Sequence, residues 1–142
     1  MLTRADWAGL IPHAGRMDLL ERVLYWDTGR LEAEARAPDA AHPLAHAGRV
    51  RALHACEYAA QAAAVHGGLL ARAAQFAPAP GLLATLRGVQ LPQEWIAPAA
   101  PLRIAVWRLA ATTQAVQYRF VVAQGAVPLA QGQLLIAFGV AP

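Results

Sequence analysis

The 142 residues predict an α+β protein in which a curled antiparallel sheet wraps one long central helix. Three observations carry that prediction. Residues 30–37 alternate strictly, with Arg30, Glu32, Glu34 and Arg36 on one side and Leu31, Ala33, Ala35 and Ala37 on the other, the period of a half-buried strand. Ten of the 25 residues from Arg51 to Gln75 are alanine, the strongest helix former, and residues 58–71 hold no charge. Three or four strand-like runs, at about 82–91, 102–110, 115–123 and 128–138, then follow with short turns between them.

Each element has a local reason. Pro12 and Gly15 mark a turn-like opening, and Asp18 to Trp26 reads as a strand rich in Leu, Val, Tyr and Trp. Asp27-Thr28-Gly29 is a tight-turn signal, which makes residues 30–37 the second arm of a hairpin. Residues 38–48 form a loop carrying His42 and His46. The helix runs from about Val50 to Gln75; Gly67-Gly68 weakens it by up to ~1 kcal/mol per glycine, a cost that predicts a close backbone contact there. Pro78 and Pro80 then stop it. A helix apolar on nearly every side is one that a fold encloses. A sheet with one face to bury meets such a helix most economically by curling around it, the hotdog arrangement. A lone protomer leaves sheet edge and helix surface open, so a homodimer or a dimer of dimers is expected.

Composition narrows the class further. With 57% hydrophobic and 15% charged residues, the chain reads as one globular domain over residues 1–142, part of whose surface another subunit covers. One cysteine, Cys56, excludes an internal disulfide and suits a reducing cytoplasm. No basic-then-apolar leader precedes Leu10, so a cytoplasmic location is expected. The uncharged run at 58–71 is too short and too polar to span a bilayer, so no membrane partner is expected. The net charge of +3 comes from twelve arginines and no lysine, scattered rather than gathered on one element, which argues against nucleic acid.

The chemistry-bearing residues gather around the helix. Glu57 and Gln61 stand four apart and share a face. A buried carboxylate is costly unless paired or protonated, so Glu57 either anchors a structural hydrogen bond or does chemistry. Gln61 either orients that acid or satisfies a neighbouring strand. His46 and His42 are candidate bases or solvated loop histidines. His54, three residues before Glu57, is a partner for the carboxylate or a cover for the helix start. His66 reads as a packed helix residue. Cys56 points about 100° away from Glu57, which disfavours a cysteine nucleophile. The five histidines show no His-x-x-x-His spacing beside an acid on one helix, and no glycine-rich phosphate loop exists, so neither metal nor cofactor is expected.

Two stretches carry a family resemblance. Leu10-Ile11-Pro12-His13 followed by Leu19-Leu20-Glu21-Arg22-Val23 is similar to the Leu-Pro-His-Arg opening and Leu-Leu-Val-Asp-Arg-Val strand of the hotdog-fold 3-hydroxyacyl-thioester dehydratases. Glu57-Tyr58-Ala59-Ala60-Gln61 resembles their helix motif of an acid with a glutamine four residues on. Together they cover residues 10–138 and look most like the divergent branch found with aryl-polyene and similar polyketide-like pathways. The resemblance implies dehydration of a 3-hydroxyacyl thioester, carried by an acyl carrier protein or coenzyme A, to the 2-enoyl thioester, with Glu57 as acid. It places His13 at the site edge or an interface, and lets Arg16, with Arg87 and Arg103, meet a phosphopantetheine arm. One departure stands out: counting back from Glu57, Pro43 falls where the family has its histidine. The base then falls to His46, slightly ahead of His42. That gap keeps two alternatives open, an acyl thioesterase on the same fold and a silent acyl-binding subunit paired with an active hetero-partner dehydratase.

Overall fold

Alternating burial and turn chemistry lay down the sheet. The computed structural model describes residues 1–9, 18–76 and 81–138. A two-residue strand β1 (Leu2–Thr3) and a single helical turn α1 (Arg4–Trp7) come first, followed by β2 (Arg22–Trp26) and β3 (Arg30–Ala35). Helix α2 (Ala55–Ala73) is reached through a 3₁₀ turn at Ala52–His54, and β4 (Gly81–Gln90), β5 (Leu102–Ala111), β6 (Ala115–Gln124) and β7 (Val127–Phe138) complete the chain. All pairings are antiparallel, in one seven-stranded sheet of order β1-β2-β3-β5-β6-β7-β4.

The hairpin forms as its sequence predicts. Asp27 Oδ1 accepts the N–H groups of Gly29 and Arg30 at 2.8 and 2.9 Å, and the Arg30 carbonyl accepts from Asp27 N–H. Beyond that turn, Leu31, Ala33 and Ala35 are buried while the charged positions between them stay partly exposed. Those three face Val106, Ile104 and Leu102 on β5. On β6, Val116, Tyr118, Phe120 and Val122 point the same way, opposite Ile136, Leu134, Gly132 and Ala130 of β7. This inner face packs on α2, which meets β3, β5, β6 and β7. Small side chains on the helix, Ala55, Ala59, Ala62 and Ala63, are all buried and let helix and sheet approach closely. One helix lies in a curled, unclosed sheet.

Four expectations are corrected. The first long strand begins at Arg22, not Asp18, and β1 and α1 were not foreseen. The α-helix begins at Ala55, since residues 50–52 instead pair with 94–96: Ala52 N–H donates to Glu94 and Ile96 N–H to Val50. The helix ends before the prolines, in a Schellman motif. Gln75 adopts φ 62°, Phe76 N–H donates to the Ala71 carbonyl at 2.8 Å and Gln75 N–H to Arg72 at 3.0 Å. Finally, a Cβ built on Gly67 would meet nothing within 4 Å, so the close backbone contact expected at Gly67-Gly68 is not made at Gly67.

Among the described residues, two surfaces stand open. Strand β4 is the free edge next to β7. Its Leu86 pairs with buried Leu134 yet stays 39% exposed. On α2, Glu57, Ala60, Ala64 and Gly67 form a half-exposed stripe along a stretch, Ala55 to Leu69, that is otherwise buried.

Candidate active site

The 3/4 spacing of residues 57, 60, 64 and 67 puts them on one line of the helix surface. Glu57 is the only ionisable group in that line, in the first turn of α2. It is half-buried, not enclosed as expected. Among the described residues it takes part in no ion pair or hydrogen bond, so nothing ties it down as a structural anchor. No side chain caps the helix start: neither Arg51 before the 3₁₀ turn nor His54 before α2 makes a capping bond, and the backbone carbonyls of Glu94, Arg51 and Ala52 instead accept the N–H groups of Ala52, His54 and Ala55.

Gln61 takes the structural role. It is buried, and its Oε1 accepts the Leu19 N–H at 2.9 Å, fastening the helix to the segment before β2. Gln61→Leu keeps the volume but strands that N–H; it is expected to cost about 1–3 kcal/mol, read as a lowered denaturation midpoint.

The loop histidines part company. His46 opens a two-residue turn, exchanging backbone bonds with Arg49 at 2.7 and 3.1 Å around Ala47 (φ 53°) and Gly48 (φ 78°). Both central residues are left-handed, the geometry of a type I′ turn, and His46 is exposed with no side-chain bond among the described residues. His42 instead turns toward the helix. Its Nδ1 accepts the Leu44 N–H at 3.1 Å, its ring stacks on that of Tyr58 at 6.4 Å between centroids and 20° between planes, and its Nε2 lies 3.4 Å from the Tyr58 hydroxyl. Tyr58 neighbours Glu57 in sequence, and burial pushes its hydroxyl up to about 12, so it stays protonated. Of the two, His42 is the one that packs against the helix.

The remaining candidates fall outside this group. His54 is half-buried and makes no bond to Glu57. His13 and Arg16 lie outside the described residues. His66 is buried, with Nε2–H donating to the Asp27 carbonyl at 2.7 Å and Nδ1 accepting from Tyr118 O–H at 2.7 Å, a packed residue as expected. Burial and the neighbouring Glu57 push the Cys56 thiol up to about 11, so it remains a thiol, not a nucleophile. Arg87 lies with Arg119, Gln131 and Gln133 in a shallow groove on the outer face of the sheet, away from the helix. Arg103 sits on the exposed side of β5. Among the described residues no group of three His, Cys, Asp or Glu side chains is placed to hold a metal, and no helix is long and apolar enough to cross a membrane.

Sequence reasoning missed two features. Gln124 is buried on β6, where Oε1 accepts from Ala97 N–H and Nε2 donates to the Ala97 and Ala100 carbonyls, clamping the segment that lies beside the helix start. Arg49 and Arg51 both rest on the Trp95 ring, at 4.0 and 4.7 Å. Neither carries a local signal, since the partners lie more than 20 residues away.

Known proteins show the same arrangement. The dehydratase heterocomplex ApeI:P from Xenorhabdus doucetiae superposes with a TM-score of 0.84 at 20% identity, over 92% of this chain and 89% of that one. A hypothetical thioesterase from Streptococcus pneumoniae, solved with coenzyme A, matches at 0.62 and 7% identity over 82% and 84% of the two chains. Zebra fish thioesterase superfamily member 2 matches at 0.62 and 15% over 96% and 92%. These likenesses establish the hotdog fold. No curated protein sequence matches the chain. The ApeP-like family, described as ApeP dehydratase, matches residues 5–138. The expected enzyme, a dehydratase of 3-hydroxyacyl thioesters on the hotdog fold, stands with that match, and the chain belongs to the ApeP-like dehydratase family.

Proposed function

We propose that Glu57 and His42 act on the same 3-hydroxyacyl thioester, held by an acyl carrier protein, in a site that a second hotdog subunit completes. The observation that carries this reading is the position of Glu57: a carboxyl without a partner among the described residues, on the one open line of an enclosed helix. Elimination of water needs an acceptor for the α-proton, a donor for the departing hydroxyl, and stabilisation of charge on the thioester oxygen. The Glu57 carboxyl and the His42 imidazole are the groups beside the helix start that supply such functions. The half-clothed edge β4 and the open helix line support completion by another subunit, and the similar Xenorhabdus structure is itself a heterocomplex. A hetero-partner dehydratase subunit therefore stands beside a second copy of this chain as the completing surface. The single thiol fits assembly in the cytoplasm.

A thioesterase reading, in which Glu57 activates water, is favoured by the thioesterase neighbours. One assay separates the two. Purified protein is given a carrier-linked 3-hydroxyacyl thioester, and enoyl formation and free thiol are followed together. Enoyl product without thiol supports dehydration; thiol without enoyl overturns it in favour of hydrolysis. Product formed only after a second hotdog subunit is added identifies the hetero-partner.

A further inference from the structure

Sequence order scatters the arginines, and the sheet gathers some of them. Strand pairing sets one transverse row: Arg30 faces Trp107, Trp107 faces Arg119, Arg119 faces Gln133 and Gln133 faces Arg87. Leu31, Val106, Phe120 and Leu134, each next in sequence to a member, are buried, so the row crosses the outer face of the sheet. At its β4 end it enters a groove of about 500 Å³, lined by Arg87, Gly88, Gln90, Arg119, Gln131 and Gln133 among others, and by no carboxylate. Neither arginine there joins an ion pair among the described residues.

The groove is built in advance of any ligand. Arg119 lies over the Trp107 ring at 3.9 Å, which holds its guanidinium. Gln133 Oε1 accepts from Gln117 at 2.7 Å, and Gln90 Oε1 accepts from Gln131. Both amides thus keep their Nε2–H groups without a partner among the described residues. The β4 bulge between Arg87 and Gln90, where Gly88 takes φ 60°, is seated on Gly132: a Cβ there would lie 3.0 Å from the Val89 Cα and 3.1 Å from the Arg87 carbonyl. Two guanidiniums on either side of one strand repel each other, and a shared anion turns that repulsion into attraction.

We propose that this groove binds a diphosphate group, one phosphate held by Arg87 and the other by Arg119, with the Gln90 and Gln133 amides donating beneath them. Strands β4 and β6 are two spacings apart, about 9–10 Å, a gap that two arginine side chains close to the span of linked phosphates. A diphosphate offers acceptor oxygens on both phosphorus atoms to these donors, where a single carboxylate offers one pair. The sheet separates the groove from Glu57, so its ligand is not the thioester undergoing reaction. Inorganic diphosphate and an esterified diphosphate such as coenzyme A carry the same chemistry.

Calorimetric titration of the wild-type protein with inorganic diphosphate, inorganic phosphate and succinate needs no turnover, so its outcome is independent of the reading of Glu57. Diphosphate is expected to bind at least about tenfold more tightly than phosphate or succinate. Arg87→Gln and Arg119→Gln, each shown to be folded by a thermal melt, should each weaken it about tenfold or more. Diphosphate should also shift the side-chain amide NMR signals of Gln90 and Gln133. Equal affinity for phosphate and diphosphate, tighter binding of succinate, or affinity unaltered in both variants would overturn the proposal. Coenzyme A as a further titrant separates the sources. An Arg87-dependent affinity above that of inorganic diphosphate assigns the groove to an esterified ligand, and one below it to the inorganic ion.

Discussion

Glu57→Gln is expected to lower kcat for dehydration about 10²–10⁴-fold while leaving the protein folded. The substitution preserves the size and shape of the side chain and removes only its ability to take and return a proton. Glu57 is half-exposed and bonds to nothing among the described residues, so its replacement leaves no buried group stranded. Stability should stay within about 0.5 kcal/mol, as for surface positions generally. The measurement is enoyl formation by the variant against wild type, beside a thermal melt of each. Unchanged turnover would remove Glu57 from the chemistry whichever reaction the site performs. Loss of turnover together with collapse of the melt would make the residue a structural anchor.

His66→Ala is expected to show the opposite pattern, a large loss of stability at a residue remote from the open helix line. The imidazole ties three elements together: α2, the β2–β3 turn through the Asp27 carbonyl, and β6 through the Tyr118 hydroxyl. Truncation leaves the carbonyl and the hydroxyl without that partner and opens a cavity in the core. The combined effect is about 3–5 kcal/mol. At about 3 °C per kcal/mol for a domain of this length, the melting temperature should fall by roughly 10–15 °C. The same residue gives stability a pH dependence. Burial depresses the His66 pKa, with the nearby Arg108 adding to the effect and the Asp27 carbonyl opposing it. Below the unfolded value of 6.5 the unfolded chain therefore binds a proton that the folded chain refuses. Stability is fully present above that value and declines as pH falls below it. Melts at pH 7.5 and 5.5 should differ more for wild type than for a His66→Gln variant; equal differences would show that the ring titrates alike in both states.

What the sequence revealed and concealed follows from how far each signal reaches. Residues 30–37 disclosed their strand because charged and apolar side chains alternate. Asp27 disclosed the turn because its carboxylate bonds neighbours two and three residues away. Leu2–Trp7 gave no warning, since two residues of strand and one helical turn are too short for any period. Alanine concealed the open line of α2. Ala60 and Ala64 border it while Ala59, Ala62 and Ala63 are buried, and nothing in the composition distinguishes them. The reading of Glu57 as enclosed failed for that reason. The placing of His46 and His42 was hidden for another reason: the type I′ turn that exposes the first and the Leu44 bond to the second are backbone geometry, which the counting of motif positions does not register.

Among the described residues, strand β4 pairs only with β7 and leaves the backbone donors and acceptors of its outer side without a strand partner, with Leu86 beside them. A surface of this kind is stabilised by whatever occupies it, so the melting temperature of this protein becomes a function of how much of it, or of its counterpart, is in the tube. Dilution would then act on it as a mild denaturant.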